Sequence, residues 1–229
     1  LLNESCGLLH REAAALTLRY MMSTIEGGVY TPENTVLSLS VEPFLSRHER
    51  FALKEVARLA NTSLAYIIDS PIAVATYYVI GRSKKFANTV IAFVDIGATC
   101  TWISIFSFSS LGKSEVVMNQ KSMMFNGTLG GDYIDKLVGD FFYDKFVEQT
   151  GQTADSQKVM NKFYEAARIA KERLSIDIKH SVHMEEVIGD FGLDYEFTRE
   201  EFNKLIRPFT DALFSLLNES MRSAKVNRV

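Results

Sequence analysis

The sequence contains few residues of the kinds that bind metals or form disulfides. Its two cysteines, Cys6 and Cys100, lie far apart in the chain of 229 residues and form no Cys-x-x-Cys pair. This spacing indicates neither a zinc site nor a disulfide framework. His180 and His183 are spaced i,i+3 and could share a helix face, but no acidic or thiol ligand motif flanks them. We interpret both as solvated surface histidines and predict no metal bound by histidine.

An excess of positive charge and long apolar runs are also missing. The 25 basic and 28 acidic residues give a formal charge of −3. No broad cationic field is therefore available for a phosphate backbone, and we predict no nucleic-acid partner. The longest apolar runs, such as residues 90–94, end well short of the roughly 20 residues of a membrane helix. We predict no membrane insertion.

Low-complexity linkers and simple repeats are absent too, and 47% hydrophobic content suits one large domain or two small lobes. The chain begins without an initiator methionine or a signal-peptide pattern, so we expect a piece of a longer polypeptide. Four tripeptides fit the N-glycosylation acceptor pattern and hint at a secretory compartment. They begin at Asn3, Asn61, Asn126 and Asn218.

Hydrophobic periodicity predicts a mixture of helices and strands. Helices are expected at residues 9–25, after a cap at Ser46, and from Pro71, with strands at 35–41 and 65–68. The remaining predicted elements are strands at 88–94, 102–108, 115–124, 180–188 and 195–197, and helices after Gly127, at 156–175 and from Thr198 to 223 with a break near Pro208. This order indicates an α/β fold in two parts.

Asp95 ends a β-rich run and is followed by a turn of small residues, Gly97, Ala98 and Thr99. Compact side chains let backbone N–H groups approach a phosphate, while the carboxylate can hold a hydrated Mg²⁺ or orient an attacking water. The alternative interpretation of Asp-x-Gly at a strand end is a plain turn.

Gly130 and Gly131 directly precede a predicted helix. Unpaired N–H groups and the helix dipole at such a position favour an anion. The alternative is a simple loop followed by Asp132 as the helix N-cap.

Five segments in the same order resemble motifs of the seventy-kilodalton heat-shock chaperone family. Residues 95–97 look like the second phosphate motif of actin-like ATPases, and residues 129–135 resemble the signature LGGxxxD. Residues 67–75 are similar to INEPTAAA, 170–175 to AKxxLS and 198–202 to TRxxF. The pattern is most like that of the large, divergent members, including the glucose-regulated type of the endoplasmic reticulum.

The resemblance implies an α/β, actin-like ATPase fold of the ribonuclease-H-like kind, here partial, with the end of lobe I and most of lobe II. Residues 1–80 would form the C-terminal part of lobe I and 81–130 the base of lobe II. Residues 131–206 would form an inserted subdomain, and 207–229 would return to the base. The family's first phosphate loop would precede Leu1, so we expect the 229-residue piece alone to be inactive as an ATPase.

The resemblance also implies ATP or ADP and Mg²⁺ as ligands. Asp95 matches the catalytic aspartate that positions a metal-bound water, which makes it a metal contact through water. Arg50 and Ser70 match an interlobe relay. Matched nucleotide-binding positions are Gly97, Ala98, Thr99, Cys100, Gly130, Gly131, Arg168, Lys171, Glu172 and Ser175.

Several matched positions depart from the family pattern. Ala98 and Thr99 replace glycines, Cys100 replaces a threonine, and Trp102 replaces a second aspartate. Added Cβ atoms crowd a phosphate turn, and loss of an aspartate removes a possible metal contact. Ser70 replaces a glutamate of the relay. We therefore expect weak hydrolysis.

Arg168 and Glu172 exchange the glutamate and arginine that the family commonly carries on the adenosine side. The exchange would put a carboxylate beside the base and remove a stacked guanidinium. The alternative is a surface ion pair between side chains spaced i,i+4. Both interpretations can hold together.

The resemblance implies a nucleotide-binding chaperone that acts as a holdase or nucleotide exchange factor. The alternatives are an active ATP-driven foldase and a nucleotide-free interaction scaffold. Expected partners are unfolded client proteins and a partner chaperone of the same family. The expected compartment is the lumen of the endoplasmic reticulum, with the cytoplasm as the alternative.

Overall fold

The computed structural model describes residues 10–24, 36–80, 88–111, 115–154 and 156–226. Its helices are α1 (His10–Ser23), α2 (Arg47–Leu59), α3 (Ser70–Val79), α4 (Gly131–Thr150), α5 (Gln157–Leu174), α6 (Arg199–Leu205) and α7 (Arg207–Ser223). Its strands are β1 (Val36–Val41), β2 (Ser63–Asp69), β3 (Thr89–Ile96), β4 (Thr101–Leu111), β5 (Glu115–Asn126), β6 (Lys179–Ile188) and β7 (Phe191–Thr198). The α/β prediction is confirmed by this order.

The chain divides into two compact units. The first comprises Leu1–Ala87 and Ser109–Val116, and the second comprises Asn88–Phe108 and Val117–Val229. None of the helices in the described ranges is both long enough and apolar enough to cross a membrane.

In the first unit, β1 and β2 pair in parallel, and α1 packs on α2 through Ala15, Val56 and Ala60. The predicted cap at Ser46 is confirmed. Its hydroxyl accepts from the Glu49 N–H at 3.3 Å, and its own N–H donates to the Glu49 carboxylate at 2.7 Å. This reciprocal capping box starts α2. Pro71 lies in the first turn of α3, as its fixed φ favours.

Strands β3, β4 and β5 form a three-stranded sheet in that order, and most of its residues belong to the second unit. The predicted hairpin is confirmed, since β3 and β4 pair antiparallel from Thr89 opposite Phe108 to Ile96 opposite Thr101. The central strand β4 is buried from Thr101 to Phe106. Burial on this strand explains why its alternation is only partial in the sequence.

Helices α4 and α5 pack with the β6–β7 hairpin around a core that includes Phe142, Phe163 and Phe197. The rings of Phe142 and Phe197 meet edge to face, with centroids 5.0 Å apart. At Gly139 a Cβ would lie 2.4 Å from the Tyr164 ring, so only glycine permits this helix–helix approach.

Several boundaries differ from prediction, and those of β7 and of the helical break differ most clearly. Strand β7 begins at Phe191 rather than at residue 195, because it pairs with β6 along most of its length. The helical break falls at Ile206, and Pro208 then lies in the first turn of α7. The helix predicted at residues 9–25 is observed as His10–Ser23, and its expected ends lie outside the described residues.

The possible placement of His180 and His183 on one helix face is wrong, because both lie on strand β6. Side chains three residues apart on a strand point to opposite faces. His183 is exposed, as predicted, and its ring bonds to Asp194 and, at 3.1 Å, to Glu185. These hydrogen bonds, first that of Asp194, raise the pKa of His183 above its ordinary value. Within the described ranges, no cluster of histidine, cysteine, aspartate and glutamate could hold a metal ion.

Candidate functional site

The turn after β3 is closed by its own backbone. The Gly97 N–H donates to the Cys100 carbonyl at 2.9 Å, and a Cβ on Gly97 would lie 3.2 Å from that oxygen. Asp95 is exposed near the end of β3, and Cys100 is buried just before β4. The strand thus presents the Asp95 carboxylate beside a tight turn, as the sequence predicts.

The second glycine motif docks directly on this turn. The Gly131 N–H donates to the Gly97 carbonyl at 2.9 Å, and the Asp132 N–H donates to the Ala98 carbonyl at 2.8 Å. A Cβ on Gly130 would lie 2.3 Å from the Ala98 oxygen, which no side chain tolerates. The structure therefore joins two motifs that lie about 30 residues apart in the sequence.

These contacts correct the expected source of anion-binding groups. The N–H groups of Gly131, Asp132 and Tyr133 at the start of α4 are all paired with carbonyls, so they are not free to bind a phosphate. Asp132 is not the N-cap either, because that position belongs to Gly130. The first N–H groups of a helix have no partner within the helix, and here those of Gly131 and Asp132 are paired by the docked turn.

Unpaired donors remain on the other loop. The N–H groups of Ala98 and Thr99 have no partner among the residues that the structure describes, and both residues are exposed. Two successive N–H groups next to an exposed carboxylate suit a phosphate accompanied by a hydrated cation. The groups at this turn are therefore chemically compatible with a phosphate group.

Lys171 reaches this site from α5. Its ammonium lies 2.6 Å from Asp135 Oδ1 and donates to the Gly131 carbonyl at 3.3 Å. Asp135 is buried, with 8% of its surface exposed, so its carboxylate needs a positive partner. Sequence reasoning did not assign a role to Asp135, although it is the last residue of the segment 129–135. Its place in the segment that resembles LGGxxxD was the available signal in the sequence.

Ser175 lies one turn after Lys171 and caps the end of α5, where its hydroxyl donates to the Lys171 carbonyl at 3.1 Å. Arg168 and Glu172 turn towards each other with an N–O distance of 2.9 Å, which confirms the predicted ion pair. Arg168 also binds Glu165 at 2.6 Å. The hydrogen bond to Glu165, then the two nearby carboxylates, raise the pKa of Arg168 above its ordinary value.

The first unit contains the two proposed relay residues. Arg50 lies 2.5 Å from Asp69 and donates to the Leu45 carbonyl at 3.1 Å. Ser70 follows Asp69 directly and donates to the Val41 carbonyl at 3.0 Å. Sequence reasoning missed Asp69, which gives Arg50 a carboxylate partner one residue before Ser70.

The fold is thus an α/β protein in which two glycine turns meet at the end of one strand. A family model described as Hsp70 protein matches residues 8–228. The chain belongs to the Hsp70 family. That family has an actin-like ATPase fold, and the mixed strands and helices of this chain are consistent with part of such a domain.

The similarity to individual relatives is low in terms of sequence identity. The chain is 25% identical over 224 residues to heat shock protein 70 homolog lhs1 of Schizosaccharomyces pombe, which covers 94% of the chain and 26% of that relative. It is 25% identical to hypoxia up-regulated protein 1 of Xenopus tropicalis, over 98% of the chain and 36% of the relative. Heat shock 70 kDa protein 17 of Arabidopsis thaliana is also 25% identical, over 92% of the chain and 25% of the relative. The chain therefore spans about a quarter to a third of the length of these relatives.

Proposed function

We propose that this chain forms one wall of an ATP or ADP site in a nucleotide-binding chaperone. The observation that carries the proposal is the docked pair of turns, in which the N–H groups of Ala98 and Thr99, unpaired among the described residues, lie beside Asp95. Residues 1–80 would end lobe I, 81–130 would form the base of lobe II, 131–206 its inserted subdomain, and 207–229 the return to the base.

Each residue near the turn has a distinct role in this proposal. Ala98 and Thr99 donate to a phosphate, with Gly97 and Cys100 closing the turn beneath them. Gly130 and Gly131 support the turn by close packing rather than by donating to the ligand.

The remaining site residues lie on β3 and α5. Asp95 would hold a hydrated Mg²⁺ through water, and the cation would neutralise charge on the phosphates. We assign Arg168, Lys171, Glu172 and Ser175 of α5 to the nucleoside side of the site. Lys171 also contacts the Gly131 carbonyl, and Arg168 pairs with Glu172.

We further propose that hydrolysis is weak and that the full protein acts as a holdase or nucleotide exchange factor. Trp102, opposite Asp95, is 1% exposed and supplies no carboxylate. Ala98 and Thr99 add Cβ atoms to the turn. Loss of a preorganised charge near a reacting phosphate commonly costs about 10²-fold or more in rate.

The second candidate is an active ATP-driven foldase. It is favoured by the ion pair between Arg50 and Asp69, at 2.5 Å, because a carboxylate still meets the relay arginine although Ser70 lacks one. A relay of that kind would let nucleotide state reach a substrate domain.

We also propose that the full protein binds unfolded client proteins and a partner chaperone of the same family. Its proposed compartment is the lumen of the endoplasmic reticulum. The compartment is supported by acceptor tripeptides with exposed asparagines at Asn61 and Asn218. The cytoplasm is the alternative.

One pair of measurements on the full-length protein tests these functions. Calorimetry with Mg-ADP is expected to show binding, and single-turnover kinetics with ATP is expected to show slow hydrolysis. A rate typical of foldases would favour the second candidate. No nucleotide binding at all by a folded protein would contradict both and leave an interaction scaffold.

A further inference from the structure

Helix α2 has two faces of opposite character. Its inner face is covered, since Val56 and Ala60 pack with Ala15 of α1. The outer face carries Arg47, Phe51 and Lys54, spaced i,i+4,i+7 so that they form one stripe. All three side chains are exposed.

This stripe borders an open groove of about 670 Å³. Among the described residues, the groove is lined by Arg47, His48, Arg50, Phe51 and Lys54. Phe51 is 59% exposed in the middle of these basic residues. An exposed aromatic ring among cations is stabilised when an apolar side chain of a partner packs against it and removes it from water.

The nearby carboxylates are already engaged elsewhere. Glu49 accepts from the Ser46 N–H at 2.7 Å, and Glu55 binds Arg58 at 3.1 Å. Asp69 forms an ion pair with Arg50, and both side chains are partly buried. Arg47 and Lys54 form no ion pair within the part of the chain that the structure describes. Arg47 and Lys54 therefore keep their positive charges unpaired among the described residues, while the Glu49 carboxylate already occupies the capped N-terminus of α2.

We propose that this groove binds an acidic segment of a partner protein that carries an apolar side chain between its carboxylates. The carboxylates would pair with Arg47 and Lys54, and the apolar side chain would cover Phe51. The two cations lie about 10 Å apart along the helix, which a few extended residues span.

The charge pattern favours a peptide over other polyanions. Nucleic acids commonly engage about 6–10 phosphates, and this stripe offers few cations in a chain of net charge −3. A membrane surface would meet one aromatic residue rather than an apolar helix face.

The test uses the full-length protein and a fluorescein-labelled peptide of repeated Glu-Asp-Leu units. A control peptide replaces each acid by its amide. We expect the acidic peptide to bind and the amide peptide not to bind. In Lys54→Glu the affinity for the acidic peptide should fall about tenfold or more, because attraction becomes repulsion. Phe51→Ser should weaken binding several-fold without disturbing the buried face. Lys158→Glu, which reverses an exposed lysine of α5, should bind like the wild type.

Salt provides a second readout. Raising its concentration from about 0.1 to 1 M shortens the screening length from about 10 to 3 Å and should weaken the complex strongly. A loss in the control variant Lys158→Glu as large as that in Lys54→Glu would overturn the proposal by showing unspecific attraction. Equal binding of the amide peptide would overturn it too, as would capture by anionic vesicles or RNA without capture of the acidic peptide.

Discussion

Asp95 lies directly opposite Trp102 in the antiparallel pair β3–β4. The Trp102 ring is buried, and its Nε1–H forms no hydrogen bond within the described part of the chain. One exposed carboxylate therefore stands at the strand end with no second acid opposite it. This pair is the structural basis for expecting slow hydrolysis at the proposed nucleotide site.

The full-length protein should hydrolyse bound ATP at least about 10²-fold more slowly than an ordinary foldase of the family. The reason is the missing carboxylate at Trp102 and the Cβ atoms of Ala98 and Thr99. Single-turnover kinetics measures the rate, and Asp95→Asn should remove what remains. A normal foldase rate that depends on Asp95 would contradict the prediction.

Gly130→Ala should separate the two turns and weaken Mg-ADP binding. Its Cβ would lie 2.3 Å from the Ala98 oxygen, and such overpacking costs about 1–3 kcal/mol. Gly127→Ala is the matched control, because its Cβ meets nothing within 4 Å. Thermal denaturation and calorimetry should show losses only for Gly130→Ala. Equal behaviour of both variants would refute the docking.

Lys171→Met should destabilise the second unit by about 3 kcal/mol, because it leaves the Asp135 carboxylate buried without its partner. Adding Asp135→Asn should recover part of this loss, since no buried charge is then unpaired. A double-mutant cycle by denaturant unfolding measures the coupling. Strictly additive losses would show that the ion pair is not energetically important.

Glu172→Arg should tighten ADP binding by roughly 1 kcal/mol if a guanidinium returns to the adenine face. Glu165→Arg is a close control, because it also removes a carboxylate partner of Arg168 but lies on an earlier turn of α5. Calorimetry compares the two. Unchanged ADP affinity in a folded Glu172→Arg variant would leave Arg168 and Glu172 as a surface ion pair only.

The pair of hydrogen bonds at His183 should make stability depend on pH. Because Asp194 and Glu185 raise its pKa in the folded state, the stabilisation is fully present below the ordinary value of 6.5. It is lost as pH rises through the raised folded-state pKa. His183→Gln should flatten the pH profile of thermal stability above 6.5. An unchanged profile would mean that the exposed pairs contribute nothing measurable.

Local patterns were enough to predict most helices and strands. Ser46 with Glu49, and Thr198 with Glu201, start α2 and α6 by capping boxes that involve only residues three apart. Alternating and helical periodicities mark the rest because each reflects one buried face. Local pattern did not predict the start of β7 or the break at Ile206, since strand pairing and helix packing set them.

Residue type and chain order alone were sufficient to find the two glycine motifs, the retained Asp95 and the succession of segments that resembles one family. Which polar groups remain free for a ligand was decided by packing. The N–H groups at the start of α4 pair with the turn of Gly97 and Ala98, and Lys171 pairs with Asp135. Such contacts join residues far apart in the chain, so their existence depends on how the elements pack and not on any local pattern.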